Sequence, residues 1–379
     1  MAKRGIRVVD SDMHVVEPWD LWQRYTEPAY LDQAPRPVGD PNLPVDLRLE
    51  FGGHMHTRNN AYNDASHETY IKRRQKSAPR FTEYAAQGFD AASQLKAMDV
   101  EGIDQAVLFP TKALLVPWVD GIDPGLATAV CRAYNDWLGD FCAVDPARLK
   151  GVGQVTLHDP ALAIAEARRT VRDMGMSAVW TRPNPINGRQ LHDPEFDPFW
   201  AEMERLEVPI CFHCAEGSYL PTIGTDRFEG NWMMSHTADH SLEMMVGMQS
   251  MILGGVLERF PKLKVAFLEA NCAWVPWWLW RMEEHYELTG EWDAPTRLSL
   301  SPQEYFRRQC YVSIDADELP GAQVIDAIGE DRVVFSSDYP HLDSKFPNAV
   351  DIFLEMPGMS EATKRKVLLD NCVSLYNLA

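Results

Sequence analysis

Short apolar segments alternate with longer helix-like segments along most of this chain, and the alternation limits the folds it can adopt. Strands that alternate with helices form a parallel sheet, because each helix carries the chain back to the start of the next strand. The pattern predicts eight strands, at residues 6–12, 105–110, 151–157, 178–181, 209–213, 264–269, 310–315 and 332–336. Eight such units favour closure into a (β/α)8 TIM barrel, an α/β fold for which 379 residues are sufficient.

A predicted helix follows each strand, but after the first strand it comes only at the end of a long insertion. The predicted helices cover residues 90–101, 126–143, 160–174, 198–206, 240–260, 274–288, 319–328 and 361–376. Residues 17–87 are rich in proline, glycine, asparagine and aspartate and have weak periodicity. Since loops of this length are usually functional, we expect one domain, residues 1–379, with residues 17–87 as an insertion that covers the barrel mouth as a lid.

The charge and the apolar content exclude several classes of function. A net charge of -19 repels phosphate backbones and anionic lipids, so we expect neither nucleic-acid nor membrane binding. We find no run of the roughly 20 apolar residues that a membrane helix requires. Residues 8–9 already begin a strand, where a secretion signal would continue as an apolar helix. The sequence therefore predicts a cytoplasmic enzyme that acts on a small molecule.

The seven cysteines are scattered through apolar segments, which favours reduced and buried thiols. Cys211 and Cys214 are close in sequence, but they lie in a strand pattern, where side chains three residues apart point to opposite faces. We expect both thiols to pack in the core rather than to bind zinc.

Residues that can bind a metal stand at the ends of three predicted strands. Asp12 and His14 end the first strand, His213 ends the fifth, and Asp338 follows the eighth. Each has a simpler interpretation by itself, as a turn cap, a core histidine or a helix cap. A barrel, however, brings the carboxyl ends of its strands to one face, where these four side chains would meet. Two imidazoles and two carboxylates there indicate a metal site.

Five sequence motifs along the chain are those of a known enzyme family. They are SDMHVVEP at the first strand, TRPNPINGR after the fourth, FHCAEG at the fifth, GGVLERFPKLKVAFLEANCAWVPWWLWRMEEH around the sixth and FSSDYPH at the eighth. Through them the chain resembles the amidohydrolase-related family, which includes α-amino-β-carboxymuconate-ε-semialdehyde decarboxylase and the γ-resorcylate and carboxyvanillate decarboxylases. The resemblance covers nearly the whole chain except residues 17–87, and it implies the same barrel fold.

The resemblance implies one divalent metal ion per chain, held by Asp12, His14, His213 and Asp338. Zinc is the first choice for these ligands and manganese is the alternative, because a carboxylate at position 12 makes the site harder. The resemblance also implies that Asp338 accepts a proton from a metal-bound water, whose pKa the metal lowers to about 7.

One position departs from the family pattern. The decarboxylases of this family carry a histidine at the end of the sixth strand, where this chain has Glu269. Either Glu269 takes the acid–base role, or His240 (or His236), which enters the preceding helix, reaches the site instead. The structural alternatives are a salt bridge for Glu269 and a helix cap for His240.

Two further residues are candidates for binding the substrate. Arg182 follows the fourth strand, and its guanidinium could hold a carboxylate through two hydrogen bonds. A surface ion pair is the alternative for Arg182, and the same two interpretations apply to Asn184 and Arg189 in the same loop. His341 follows Asp338, where it either lines the barrel mouth or packs on the neighbouring turn.

The tryptophans divide into two groups. Trp118 and Trp232 lie in predicted loops at the active face, where they could stack on a substrate ring. Trp274, Trp277 and Trp278 share one face of a predicted helix, which favours core packing or a dimer interface. Together with the family resemblance, this second group predicts a homodimer.

The leading hypothesis for function is non-oxidative decarboxylation of a small aromatic or unsaturated carboxylate, the reaction of the named relatives. In this reaction the metal and Arg182 hold the substrate oxygens, a proton goes to carbon, and carbon dioxide leaves. The first alternative is hydrolysis of an amide, lactone or C–C bond by metal-bound water, with Asp338 as the base. The second alternative is a barrel that binds a ligand without catalysis, which a failure to bind metal would favour.

Overall fold

The computed structural model contains one sheet of eight parallel strands. The residues that it describes are 3, 5–38, 48–56, 72, 75–76, 79–214, 222–224, 226–228 and 231–378. The strands are β1 (Val9–His14), β2 (Gln105–Phe109), β3 (Leu149–Gln154), β4 (Ala178–Thr181), β5 (Ile210–His213), β6 (Val265–Leu268), β7 (Cys310–Asp315) and β8 (Val333–Ser336). They pair in chain order, each parallel to the next.

Strands β1 and β8 meet, and this contact closes the sheet into a barrel. The Ser11 hydroxyl donates a hydrogen bond to the carbonyl of Phe335 (2.7 Å), and the Ser336 hydroxyl donates to the carbonyl of Asp12 (3.1 Å). The backbone N–H of His14 donates to the carbonyl of Tyr339 (2.7 Å), just beyond β8. The predicted (β/α)8 TIM barrel is therefore confirmed.

Helices surround the sheet, and side-chain caps define where several of them begin. The principal helices are α1 (Ala91–Glu101), α2 (Pro124–Cys142), α3 (Pro160–Arg168), α4 (Asp197–Leu206), α5 (Trp232–Ile252), α6 (Val275–Asp293), α7 (Gly321–Ile328) and α8 (Asn371–Tyr376). An aspartate precedes each of α1, α2 and α3, and its carboxylate accepts a hydrogen bond from the first turn. No helix among the described residues is both long and apolar enough to cross a membrane.

Further helical segments complete the outer layer. Those in α-helical geometry are Leu21–Tyr25, Val256–Arg259, Pro302–Gln309, Ala349–Glu355 and Glu361–Arg365. The 3₁₀ segments are Leu31–Gln33, Ala113–Trp118 and Pro194–Phe196. The π-helical segments are Arg169–Asp173 and Lys366–Asp370, which continue α3 and lead into α8.

Every observed strand overlaps its predicted one. The helix predicted at residues 240–260 is instead two helices, Trp232–Ile252 and Val256–Arg259, and one further helix was not predicted. Helix α5 begins at Trp232 rather than at residue 240, because the Asn231 side chain accepts a hydrogen bond from the N–H of Met234 and caps it there. Helix Pro302–Gln309 was not predicted, although Ser301 and Glu304 form a reciprocal capping box at its start.

The described part of the insertion contains little regular structure. Helix Leu21–Tyr25 is followed by a small antiparallel sheet whose strands are Arg36–Pro37, Leu49–Phe51 and His54–His56. Residues 39–47 and 57–71 lie outside the described part of the chain. Arg80 donates hydrogen bonds to the carbonyls of Leu342 and Ser344 (both 2.7 Å), so the end of the insertion is fixed to the loop after β8. A lid over the mouth remains a prediction.

The cysteines are where the sequence predicts them. All seven are free, and all except the half-buried Cys142 are buried. The Cys211 thiol lies 3.9 Å from the Tyr376 hydroxyl, and the Cys214 thiol donates to the carbonyl of His240 (3.5 Å). Cys211 and Cys214 therefore both pack in the core, as the sequence predicts.

The tryptophans of α6 are only partly buried. Trp274 and Trp278 pack against the core, and the Trp278 indole donates to the carbonyl of Met245 (2.6 Å). Trp277 is 52% exposed, so core packing is wrong for this residue. A dimer interface for Trp277 remains a prediction.

A buried carboxylate fixes the loop after β2 to the loop after β1. Glu17 is 1% exposed, and its Oε1 accepts hydrogen bonds from the backbone N–H groups of Thr111 (3.1 Å) and Ala113 (2.9 Å). Its Oε2 accepts from the N–H of Lys112 (2.7 Å), and the Lys112 ammonium donates to the carbonyl of Glu17 (2.6 Å). This one side chain therefore satisfies three successive backbone donors.

We expect Glu17→Ala to lower the free energy of unfolding by about 3 kcal/mol, because a buried donor left without a partner is destabilising by about 1–3 kcal/mol. Urea unfolding followed by circular dichroism measures the change. The control is Glu27→Ala, since Glu27 is exposed and such substitutions change stability by less than about 0.5 kcal/mol. Equal unfolding midpoints for the two variants would contradict this role of Glu17.

Candidate metal centre

The four predicted metal ligands lie at the carboxyl ends of the strands, in two groups that share His14. Asp12 and His213 belong to one group, and Asp338 belongs to the other with Glu269 and His341. His14 Nε2 lies 3.3 Å from Asp338 Oδ1 and 3.5 Å from Asp12 Oδ1. His213 Nε2 lies 3.5 Å from the same oxygen of Asp12. Strands β1 and β5, together with the residues just after β8, therefore bring together side chains that are distant in sequence.

Backbone carbonyls fix the orientation of both imidazoles. His14 Nδ1 lies 2.6 Å from the carbonyl oxygen of Pro110, and His213 Nδ1 lies 2.8 Å from that of Cys214. A carbonyl can only accept, so each Nδ1 carries the hydrogen and donates it. The Nε2 lone pair of each neutral ring is then available to a metal, because metal-binding histidines usually donate their other ring hydrogen to a carbonyl or carboxylate oxygen.

Several buried polar atoms around the centre make no hydrogen bond of normal geometry among the described residues, although charged groups lie close to them. They are both carboxylate oxygens of Asp12, Nε2 of His14, Nε2 of His213, Oε2 of Glu269 and Oδ1 of Asp338. A buried polar atom without a partner is destabilising by about 1–3 kcal/mol, so their convergence requires compensation. A divalent cation would supply it, and the nitrogen and oxygen ligand atoms fit zinc or manganese.

The backbone around the centre is irregular in ways that aim these side chains. A β-bulge interrupts the pairing of β1 with β2 between Asp10 and Met13, next to Asp12. Asp10 Oδ1 accepts from the N–H groups of Asp12 (3.1 Å) and Ser337 (3.3 Å). One buried carboxylate thus holds together the end of β1 and the residues just after β8.

Two carboxylates of the site lie on strained backbone. Glu269 and Asp338 have φ angles of 51° and 53°, in the left-handed region that residues other than glycine rarely adopt. Such conformations are unfavourable by about 1–3 kcal/mol each and cluster at functional sites. Glu269 and Asp338 each lie just after the end of a strand. The left-handed turn at each residue directs its side chain over the barrel mouth.

Glu269 borders the same centre. Its Oε2 lies 2.9 Å from His213 Nε2 and 3.9 Å from His14 Nε2. Its Oε1 lies 3.2 Å from His341 Nδ1 and 3.9 Å from His240 Nε2. Glu269 and His240, the two candidates for the acid–base role, therefore lie beside one another, and the ion pair proposed as the structural alternative for Glu269 is formed inside the site.

His341 lies within the centre rather than at its rim. Its ring is fully buried and stacks on that of His14, with centroids 3.9 Å apart. His341 Nδ1 lies 2.7 Å from Asp338 Oδ1, and Nε2 lies 3.2 Å from the Thr111 hydroxyl. His341 therefore orients Asp338, and its direct contact with a substrate remains a prediction.

Burial and mutual charge perturb the protonation of the whole cluster. Burial raises the pKa of Asp338 well above its ordinary value, and the nearby Glu269 charge raises it further. Burial also acts to raise the pKa of Glu269, but the charges of His213 and His341 outweigh it and hold that pKa well below the ordinary value. Burial lowers the pKa of His14. The cluster thus combines neutral and charged groups within one dry site.

Arg182 forms an ion pair with Asp120, but its guanidinium is buried rather than on the surface as the alternative expected. It is fully buried, and its Nη1 donates to the carbonyl of Pro117 (2.9 Å) while Nη2 donates to Asp120 Oδ1 (2.5 Å). Nη2 also donates to the carbonyl of Pro185. These contacts fix the end of β4 to segment Ala113–Trp118, and substrate binding by Arg182 remains a prediction.

The other candidates from the sequence have mixed outcomes. Asn184 is buried, and Arg189 donates to Glu195 (2.7 Å) and to nearby carbonyls. Trp232 begins α5 rather than lying in a loop, and its ring packs on His236 with centroids 4.4 Å apart. The side chain of Trp118 lies outside the described part of the structure.

Comparisons with known proteins show which family the chain resembles. The amidohydrolase family model matches residues 9–378. The chain is 25% identical over 299 residues to 2-amino-3-carboxymuconate-6-semialdehyde decarboxylase of Dictyostelium discoideum, covering 79% of each chain. It is 26% identical over 298 residues to γ-resorcylate decarboxylase of Polaromonas sp. strain JS666, covering 75% of this chain and 86% of the relative.

A solved structure supports the fold. It is 5-carboxyvanillate decarboxylase of Novosphingobium aromaticivorans, determined with manganese and 4-hydroxy-3-methoxy-5-nitrobenzoic acid. The TM-score is 0.70 at 20% identity, covering 99% of this chain and 97% of that one.

The first prediction for the centre concerns metal content. Protein purified without added metal is expected to hold about one divalent ion per chain, and Asp338→Ala, which removes a ligand, is expected to lose most of it. Elemental mass spectrometry measures both. The control is His285→Ala, since His285 is exposed on α6 and should leave the metal content unchanged. A wild-type protein that fails to take up added metal would rule out the site.

The second prediction is that metal uptake releases protons. Burial acts to lower the pKa of His213, but the charges of Glu269 and Asp12 outweigh burial and raise it to about 10. At neutral pH the metal-free ring is therefore protonated, and that proton must leave before Nε2 can bind metal. The apparent affinity should then fall about tenfold per pH unit, for each displaced proton, between about pH 8 and pH 6.

Calorimetric titration with zinc and with manganese, in two buffers of different ionisation enthalpy, counts the protons released. His213→Gln, which cannot carry this proton, is the matched comparison. Binding enthalpies that do not depend on the buffer would contradict the predicted proton on His213.

Proposed function

Because the chain belongs to the amidohydrolase family, we propose that it is a metal-dependent decarboxylase of a small aromatic carboxylate. The observation that supports the proposal is the set of buried ligand atoms of Asp12, His14, His213 and Asp338, which belong to two groups that share His14 and could each hold a cation. The named relatives supply the reaction, since those reported above are decarboxylases of unsaturated or aromatic acids.

Zinc remains the first candidate for the metal, because two imidazoles and two carboxylates are common zinc ligands. Manganese is the alternative, and the related carboxyvanillate decarboxylase was solved with manganese. The nearby carboxylate of Glu269 makes the environment harder, which suits manganese. The elemental measurement described above decides between the two metals.

Asp12, His14, His213 and Asp338 would hold the metal, which when bound would supply positive charge for the substrate's oxygen atoms. The protein's own groups surround the reacting carbon and exclude water. His240 or Glu269 delivers the proton that replaces the carboxylate, since these two side chains approach each other beside the centre (3.9 Å). Arg182 acts indirectly, because its contacts with Asp120 and Pro117 hold the β4 loop in place.

Hydrolysis is the second candidate, and the position of Asp338 favours it. Asp338 Oδ1 is buried, lies 3.3 Å from His14 Nε2, and contacts His341 at 2.7 Å. A carboxylate in this place could accept a proton from a water at the metal and so generate a nucleophile. Amide, lactone and C–C bonds are the substrates that such a nucleophile would attack.

The test is a substrate panel assayed with the metal-loaded enzyme. We expect carbon dioxide and a stoichiometric decarboxylated product from a 2-hydroxybenzoate such as 2,6-dihydroxybenzoate or 5-carboxyvanillate, and a fall in kcat of about 10²-fold or more in Asp338→Asn. The control is Asp317→Asn, since Asp317 is exposed near the mouth. Incorporation of ¹⁸O from water into the product, without carbon dioxide, would favour hydrolysis instead.

A further inference from the structure

Helix α5 carries a row of aromatic side chains that runs from the half-buried Trp232 in its first turn to the metal centre. Trp232, His236 and His240 are spaced by four residues, so they share one face of the helix. The rings of Trp232 and His236 have centroids 4.4 Å apart, and those of His236 and His240 stack at 4.6 Å with an interplanar angle of 28°. His240, at the inner end of the row, is the most buried of the three.

The carboxylate of Asp239 holds the His240 ring from the other side. Asp239 is 1% exposed, and its Oδ1 lies 2.8 Å from both the backbone nitrogen and Nδ1 of His240. Neighbouring residues on a helix do not normally face each other, so helical spacing alone does not produce this contact. An ionised carboxylate only accepts, and therefore Nδ1 of His240 carries the hydrogen.

With the hydrogen on Nδ1, Nε2 is the atom of His240 that exchanges protons with the site. It lies 3.9 Å from Glu269 Oε1, and the other oxygen of Glu269 lies 2.9 Å from His213 Nε2. One carboxylate thus separates His240 from the metal ligands. The ring reaches the reacting space from a helix, whereas the ligands reach it from strand ends.

The backbone around His240 is fastened to the strand ends. The Cys214 thiol, just after β5, donates to the carbonyl of His240 (3.5 Å). The Ser241 hydroxyl donates to the carbonyl of Ala270 (3.0 Å), after β6. The ring therefore has a fixed position as well as a fixed hydrogen, as acid–base catalysis requires.

We propose that Asp239 is a positioning residue, which holds His240 with its hydrogen on Nδ1 so that Nε2 transfers the proton in the reaction. The proposal rests on the proposed function. In decarboxylation, the hydrogen on Nε2 of the imidazolium moves as a proton to the ring carbon that bears the carboxylate. The bond from that carbon to the carboxylate then breaks, its electron pair returns to the ring, and carbon dioxide leaves. The neutral imidazole takes its next proton from water.

The test combines nitrogen NMR with kinetics on three variants. In protein labelled with ¹⁵N-histidine, the His240 signals, assigned by their loss in His240→Gln, should show hydrogen on Nδ1 in the neutral ring. Asp239→Ala removes the acceptor, and we expect it to shift the ring towards hydrogen on Nε2. We expect kcat to fall by about 10²-fold or more while KM and metal content stay within about twofold of wild type.

Asp239→Asn separates hydrogen bonding from charge. Its amide oxygen can still accept from Nδ1, so the ring should keep its hydrogen there, while kcat falls by about tenfold because the imidazolium loses a negative neighbour. Asp239→Glu, which keeps the carboxylate, should recover part of kcat. The matched control is Asp326→Ala, since Asp326 is exposed on α7.

An unchanged His240 spectrum in folded Asp239→Ala would overturn the proposal, and so would wild-type kcat in that variant. Should Asp239→Ala fail to fold, Asp239→Leu, which is closer to aspartate in shape and also lacks the acceptor, decides the matter by the same two measurements. Should the wild type decarboxylate nothing, the proposed function fails, and the NMR comparison still decides whether Asp239 positions the ring.

Discussion

The hydrogen bonds between the first and last strands determine where chemistry can occur in this barrel. The bond from Ser11 to Phe335 joins residues 324 positions apart, and a second one joins Ser336 to Asp12. They bring Asp12 next to the segment that carries Asp338, and β5 then supplies His213 from the opposite wall. Without this closure the donors would be spread along an open sheet edge, and no single ion could reach all of them.

The second consequence of closure is electrostatic. The Asp12 side chain is fully buried, and those of Glu269 and Asp338 are 10% and 12% exposed, so water screens these three carboxylates little. Three of the nearby imidazoles make ion-pair contacts with them. In the absence of a cation, protons must neutralise part of this charge, which explains why the pKa of Asp338 is raised while that of Glu269 is lowered. A metal ion and protons therefore compete for the same oxygen and nitrogen atoms.

The sequence was sufficient to predict the barrel and the convergence of Asp12, His14 and His213, because strand period and strand ends are local properties of the chain. It could not show that Arg182 pairs with Asp120, or that His240 approaches Glu269, since these contacts depend on how loops and helices pack in space. Asp239 went unnoticed for the same reason. In the sequence, only the asparagine before Trp232 indicates the early start of α5, and one capping residue is weak evidence by itself.

The left-handed backbone at Glu269 and Asp338 has an evolutionary consequence. Glycine adopts this conformation without strain, so at both positions it would relax the turn while deleting a carboxylate. A lineage selected only for resistance to heat would thus tend to exchange these residues for more stable ones and lose the centre. Both turns therefore place a carboxylate at the centre at the expense of stability.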